Sequence, residues 1–496
     1  MPSRIFLRSR AAAAFALPLV VVSSLSFAFA ACSGLKSADA PLDASVEGGD
    51  EPTTVPEDGS VSPDAQIDGA AVDAAAAPLD FECPTDPWTK ATKLKKECEP
   101  RQVKVVESPA PIDVRGVSIA RTPAGRVGIS YNSEGVDMGD HHLVHFTPTL
   151  PTYPAPKIVV RPSAFMGNHQ GYNTKIAAMA PDTLQVLSYD ADDTSGELRL
   201  YKLVAGVEPL TNALVAPGLT GVTQPTEIAF GSDLAGNTVA AYRVATSATL
   251  SKLASKQGTP VGMFTALPDL GTALHPKDAP GIGAGSMFVD PGGQVHFLYH
   301  FNDDALAPQF STPRYHTLAG ATWSDRKTIH NNAPDGVSGF SASLAVFGTK
   351  KYAAIFFRKA GQLGVKTADL LLVSWDAAQD TPKTEILDSQ IPSPDLTYPA
   401  APAYRVAIAV DKFGLVHLAI LRPTDETHKN GYLEYRRQTR DPSGGTKWLS
   451  DIVDPTVFSD LSTAFVDMVV DDNARPHIAY RSGKDDLVRY ATRFDR

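Results

Sequence analysis

The chain has 496 residues, 43% hydrophobic and 20% charged, enough for two or three ordinary domains or one large repeat-built domain with a real core. Its formal net charge of −10 argues against a nucleic-acid partner. That charge is uneven. Ser33–Asp80 holds eleven acids against the single base Lys36, which leaves the remainder close to neutral.

In chain order, residues 1–31 read as an export signal. Arg4, Arg8 and Arg10 precede an Ala/Leu/Val/Phe run from Ala11, and small residues lead up to Cys32. The run is long enough to span a membrane, but it abuts a processing site and an acidic stretch without a basic stop-transfer flank. Phe29-Ala30-Ala31-Cys32 resembles the lipobox of bacterial lipoproteins. The resemblance implies lipidation of Cys32 and an exported chain anchored in the cell envelope, at the outer membrane by preference. The leaflet stays open, and ordinary cleavage after Ala30 is the alternative.

Residues 32–80 are rich in Ala, Asp, Pro, Gly and Ser and cannot bury enough apolar surface to offset their ordering entropy, so they read as a solvated tether. Residues 81–100 contain Cys83 and Cys98. With Cys32 lipidated, these two remain as a pair, and a disulfide between them would contribute about 2–4 kcal/mol in an oxidising compartment. Two thiols without a third and fourth ligand make a poor zinc cage.

From residue 101 onward the chain repeats. Second-strand landmarks recur at Tyr131, Tyr189, Tyr242, Tyr299, Phe356, Ile420 and Tyr480, with separations of 58, 53, 57, 57, 64 and 60 residues. Each follows an alternating strand and a Gly/Asp/Pro turn, and third strands such as "RYHTL", "DLLLVSW" and "YLEYRR" come after. Four short strands per unit predict an all-β, seven-bladed β-propeller over residues 101–496. The last unit has room for three strands only. The spare strand "RQVKVVES" at Arg101–Ser108 is therefore expected to close it, which removes exposed sheet edges.

Three units share a motif, "VDPGGQVHFLY", "VDKFGLVHLAI" and "VDDNARPHIAY". Asp290, Asp411 and Asp471 fall in the first-to-second strand turn, where a carboxylate can accept backbone N–H groups. His296, His417 and His477 follow six residues later and are expected to bond that turn or its Asp, as structural pairs rather than metal ligands. Turn spacing and aromatic landmarks together resemble the BNR-like propellers of the sialidase superfamily. The resemblance implies the fold. The strict Asp-box of that group and its catalytic set are absent, so sialidase activity is not implied.

Candidate functional residues belong to the second-to-third strand loops and the connections between blades, where loops carry function. His169 and Tyr172, between the first two blades, suit an acid/base pair of the kind used by propeller-fold polysaccharide lyases. Asp190 and Asp192 lie in an oxygen-rich loop compatible with calcium; no other cofactor is expected. Arg243, Arg358, Arg422 and Arg481 each follow a landmark by one or two residues. If they converge on the channel mouth they would suit a carboxylate, sulfate or phosphate. The sequence thus points to an envelope lipoprotein, expected to be monomeric, whose propeller binds a glycan or a protein. A carbohydrate-active enzyme, hydrolase or lyase, on the same face is the alternative.

Overall fold

The computed structural model describes residues 102–106, 113–134, 140–148, 157–161, 174–191, 196–219, 228–245, 250–270, 272–274, 282–301, 312–324, 327–330, 336–359, 367–376, 379–392, 406–425, 430–441, 444–455, 465–482 and 487–492. They form seven antiparallel sheets, in six of which the strands run in chain order from first to fourth, and no helix occurs among them. The first strands are Asp113–Arg121, Thr174–Met179, Ile228–Ser232, Ile282–Val289, Gly336–Phe347, Val406–Val410 and Val466–Val470. In blades 3 and 4 the fourth strand is split into two short pieces, Phe264–Leu267 with Thr272–Leu274 and Thr322–Trp323 with Lys327–Thr328.

Blade 7 has the predicted closure. Gln102–Val106 is its outermost strand and pairs with Leu487–Thr492 in the register Gln102↔Thr492 to Val106↔Val488. The chain's first described strand thereby completes its last sheet and covers the outer edge of Leu487–Thr492.

The core lies between blades. Each of the seven junctions holds its own apolar cluster, from Leu143 with Leu184 between blades 1 and 2 to Tyr131 with Tyr490 across the seam of blades 7 and 1. A strand sandwiched in this way is apolar on both faces. That is why "DLLLVSW" is buried almost continuously instead of alternating cleanly. The seven landmark residues are all buried. Three of the tyrosines turn their hydroxyls to residues in or beside a fourth strand: Tyr189 donates to Leu219 O (2.5 Å), Tyr299 to Leu270 O (3.5 Å) and Tyr480 to Asp454 Oδ2 (2.8 Å). A buried hydroxyl needs such a partner, so the recurring aromatic is a tie as well as a filler.

The first-to-second strand turns of blades 1, 3, 4, 6 and 7 are built alike. In blade 6, Gly414 N donates to Asp411 O (3.0 Å) with Gly414 at φ 78°, a left-handed position that glycine adopts without strain. Blade 7 places Ala474 at the corresponding position with φ 58°. An L-residue with a Cβ is strained there, so Ala474→Gly is expected to raise stability by about 0.5–1 kcal/mol, read as a higher denaturation midpoint.

Candidate functional site

The first strands surround a central channel of about 630 Å³. Its wall is mostly backbone and small or apolar side chains, including Phe230, Met287 and Ile408, with charge concentrated where blades 7, 1 and 2 meet: Asp467, Arg121 and Lys175. Asp467 accepts from Ser118 Oγ (2.7 Å) and Ile119 N (3.0 Å) of blade 1. This latch reaches across the closing seam through Asp467 Oδ2, while Oδ1 accepts Met468 N (2.9 Å), so both oxygens of this channel-lining carboxylate are engaged by the fold.

The Asp/His motif forms three buried relays. In blade 6, His417 Nε2 donates to Asp411 Oδ2 (3.2 Å) while the Tyr435 hydroxyl lies 2.6 Å from His417 Nδ1. Asp411 Oδ1 also accepts Phe413 N and Leu415 N, both at 2.9 Å. Blades 4 and 7 repeat the arrangement, His296 with Tyr315 and His477 with Tyr490 at 2.6 Å, but the distances to Asp290 and Asp471 lengthen to 3.5 Å. Burial lowers the pKa of His296 and His477, which favours a neutral ring. In blade 6 a neutral ring with Nε2–H toward the carboxylate and Nδ1 accepting from tyrosine satisfies all three members, whereas Nε2 of His296 and His477 reaches its carboxylate only at 3.5 Å and makes no hydrogen bond there. Burial also raises the Tyr315 hydroxyl well above its ordinary range, so this phenol is a poor proton donor to solvent. The rings lie between sheets, outside the channel wall, and the arrangement ties a turn to the third strand. Blade 5 places Lys351 at the matching second position of its second strand, buried, with Nζ donating to Thr349 O (2.5 Å).

The relays differ in exposure, and this sets a ranking. The Asp411 side chain is 2% exposed and that of Asp290 26%. Asp411→Ala strands two backbone N–H groups and the His417 ring proton in a dry site, an expected loss of about 3 kcal/mol or more; Asp290→Ala, where water reaches, is expected to cost about 1 kcal/mol. Urea denaturation of the two variants checks the order.

Three of the four arginines have described side chains, in blades 3, 6 and 7. Arg422 is held between blades 5 and 6 by Asp388 and by Glu434 (3.3 Å), in a network that Arg436 shares with the same two carboxylates and Ser450 joins through Glu434. Asp388 belongs to the outermost strand of blade 5, so this guanidinium is turned away from the axis. Arg481 is buried at 3% exposure and Arg243 is half-buried in blade 3. The backbone of Arg358 lies in the second strand of blade 5, and its side chain is outside the described residues. Among the described side chains, Arg243, Arg422 and Arg481 are not among those lining the channel. Outside the described residues also lie His169, Tyr172, Asp192, the Asp190 side chain, Cys32, Cys83 and Cys98. Among the described residues no three His, Cys, Asp or Glu side chains are grouped as a metal site requires.

The tyrosines of the relays and the Glu434 network were missed by sequence reasoning. Tyr315, Tyr435 and Tyr490 follow their histidines by 19, 18 and 13 residues, because the intervening loop varies in length. A search of third strands for a tyrosine, at no fixed spacing, would have found them.

No family model matches the chain, and no curated protein matches it. Solved structures do align with it. An α-L-arabinanase of Penicillium chrysogenum, complexed with arabinobiose, is 8% identical, covering 67% of this chain and 95% of its own at a TM-score of 0.43. A polysaccharide lyase is 11% identical over 76% of this chain and 89% of its own, TM-score 0.45. The NanB sialidase of Streptococcus pneumoniae is 10% identical over 85% and 72%, TM-score 0.42.

Proposed function

We propose that the protein is an envelope lipoprotein, anchored through Cys32, whose propeller binds a glycan or protein ligand without turning it over. One observation carries the non-catalytic half of this reading. The half-buried and buried carboxylates of the described body are already occupied by donors of the fold: Asp467 by Ser118 and Ile119, Glu434 by Arg422, Arg436 and Ser450, and Asp454 by Tyr480 and Arg489. A general acid or base has to offer an oxygen to the substrate, and these offer theirs to the protein. The reading also gives the tether and the odd cysteine a purpose.

The test is a glycan array run beside a reducing-end release assay on the purified full chain. Binding without release supports the proposal, and release of reducing ends overturns it in favour of a carbohydrate-active enzyme. Cys32→Ser is expected to move the protein from the membrane to the soluble fraction; retention in the membrane would remove the anchor from the proposal.

A further inference from the structure

Nine large apolar side chains are exposed among the described residues, and six of them stand at one end of the ring. Val204 and Val207 flank the hairpin between the third and fourth strands of blade 2. Leu234 sits in the first turn of blade 3, Val261 and Met263 in its later hairpin, and Phe347 at the first turn of blade 5. In an antiparallel blade the first-to-second and third-to-fourth turns share one end, opposite the loops in which the candidate ligand residues were placed.

The turns of blades 2 and 3 are stitched into one surface. Ala180 N donates to Leu234 O (3.0 Å), Ala205 N to Asp182 O (2.7 Å) and Lys202 Nζ to Pro260 O (2.6 Å). Val261 is 80% exposed and Met263 67%, so the patch presents whole side chains to its surroundings. Contiguous exposed apolar surface of this kind marks an interaction site.

The point where the tether joins the ring identifies the occupant. Gln102 pairs with Thr492, which pairs with His477, the second residue after the first turn of blade 7. The chain that precedes Gln102 therefore enters at the same end as the patch. Sixty-nine residues lie between Cys32 and Gln102; a flexible chain of that length would span on the order of 45 Å, enough for this end to seat on a membrane without tension.

We infer that the turn end of the propeller rests on the lipid surface that holds the anchor, with Val204, Val207, Leu234, Val261 and Met263 in the boundary between headgroups and acyl chains. The inference rests on the anchor proposed above and adds an orientation to it. A second, weak apolar contact is what a tethered domain can exploit, since anchor and patch act together where either alone is reversible. The loop end then points away from the bilayer, open to a ligand.

Met263→Trp in the full lipid-bearing chain, reconstituted into phosphatidylcholine vesicles with brominated acyl chains, tests this. The emission added by the new tryptophan is expected to fall by about half or more, as contact at the acyl boundary requires. Ile386→Trp, on an outer strand and 61% exposed, is expected to keep its added emission. Val261→Trp repeats the measurement should the first variant misfold. Incorporation without quenching at 263 and 261 overturns the orientation alone, and a chain that does not enter vesicles overturns it together with the anchor. Quenching-free emission that shifts with protein concentration in the absence of lipid assigns the patch to a second copy and likewise overturns the inference.

Discussion

Deletion of Gln102–Val106 is expected to destroy cooperative folding of the whole ring. The deletion strips blade 7 of its outer strand and leaves Leu487–Thr492 as an unpaired edge. Val488 and Tyr490, both fully buried, belong to the cluster that seals blade 7 against blade 1, so their strand is the one that must not fray. The expected cost is more than about 4 kcal/mol, beyond the range of ordinary substitutions, with an exposed edge that favours aggregation. Size-exclusion chromatography and thermal unfolding of the shortened chain check it. A monomer that melts with unchanged sharpness would show that the remaining sheet carries the seam without its fourth strand.

Acid is expected to unfold the protein in two stages. Burial holds His142, stacked on Tyr131 at 4.8 Å, down to about 4, and lowers His296, His330 and His477 in the same direction. In the unfolded chain these rings titrate at about 6.5. The unfolded state therefore takes up protons first as the pH falls, and the stability present above about pH 7 drains away between about 6.5 and 4. His142 alone accounts for about 3 kcal/mol over that interval. Below about pH 4 a second loss begins, at carboxylates whose folded values lie under their unfolded ones. Burial opposes that lowering at Asp182 and Asp471. Even so, Arg126 and Thr122 hold Asp182 down, and His477 and Arg475 hold Asp471 down. Urea midpoints measured across this range check the sign, and His142→Gln is expected to flatten the upper stage. A stability that stays level between pH 7 and 4.5 would contradict the buried neutral rings.

The architecture was legible because the physics repeats with it. Each second strand needs one large buried residue, and each tight turn needs a carboxylate or a glycine, so Tyr299, Ile420 and Tyr480 come round with their turns. Outer strands lack that pressure. Val207–Ala216 exposes Val207 at 64% and Leu214 at 41%, so its sequence carries no alternation to detect. Side-chain pairing across a junction is harder still. Whether Arg422 meets the channel or Asp388 depends on the sheet face it occupies and on what the neighbouring blade supplies there. Neither is written near Arg422 in the chain. Asp467 shows the converse: nothing around it in "FVDMVV" signals that its partners, Ser118 and Ile119, sit in the first blade.

The pairing of Gln102 with Thr492 joins residues about 390 positions apart. During synthesis the opening strand must therefore wait, its amides and carbonyls without their sheet partner, until Leu487–Thr492 has left the ribosome. Closing so long a loop is slow, and everything before it is provisional. A nascent chain stalled anywhere short of Leu487–Thr492 holds at most six of the seven described sheets in finished form, so the arrival of that strand is the step that turns an open series of blades into a closed ring.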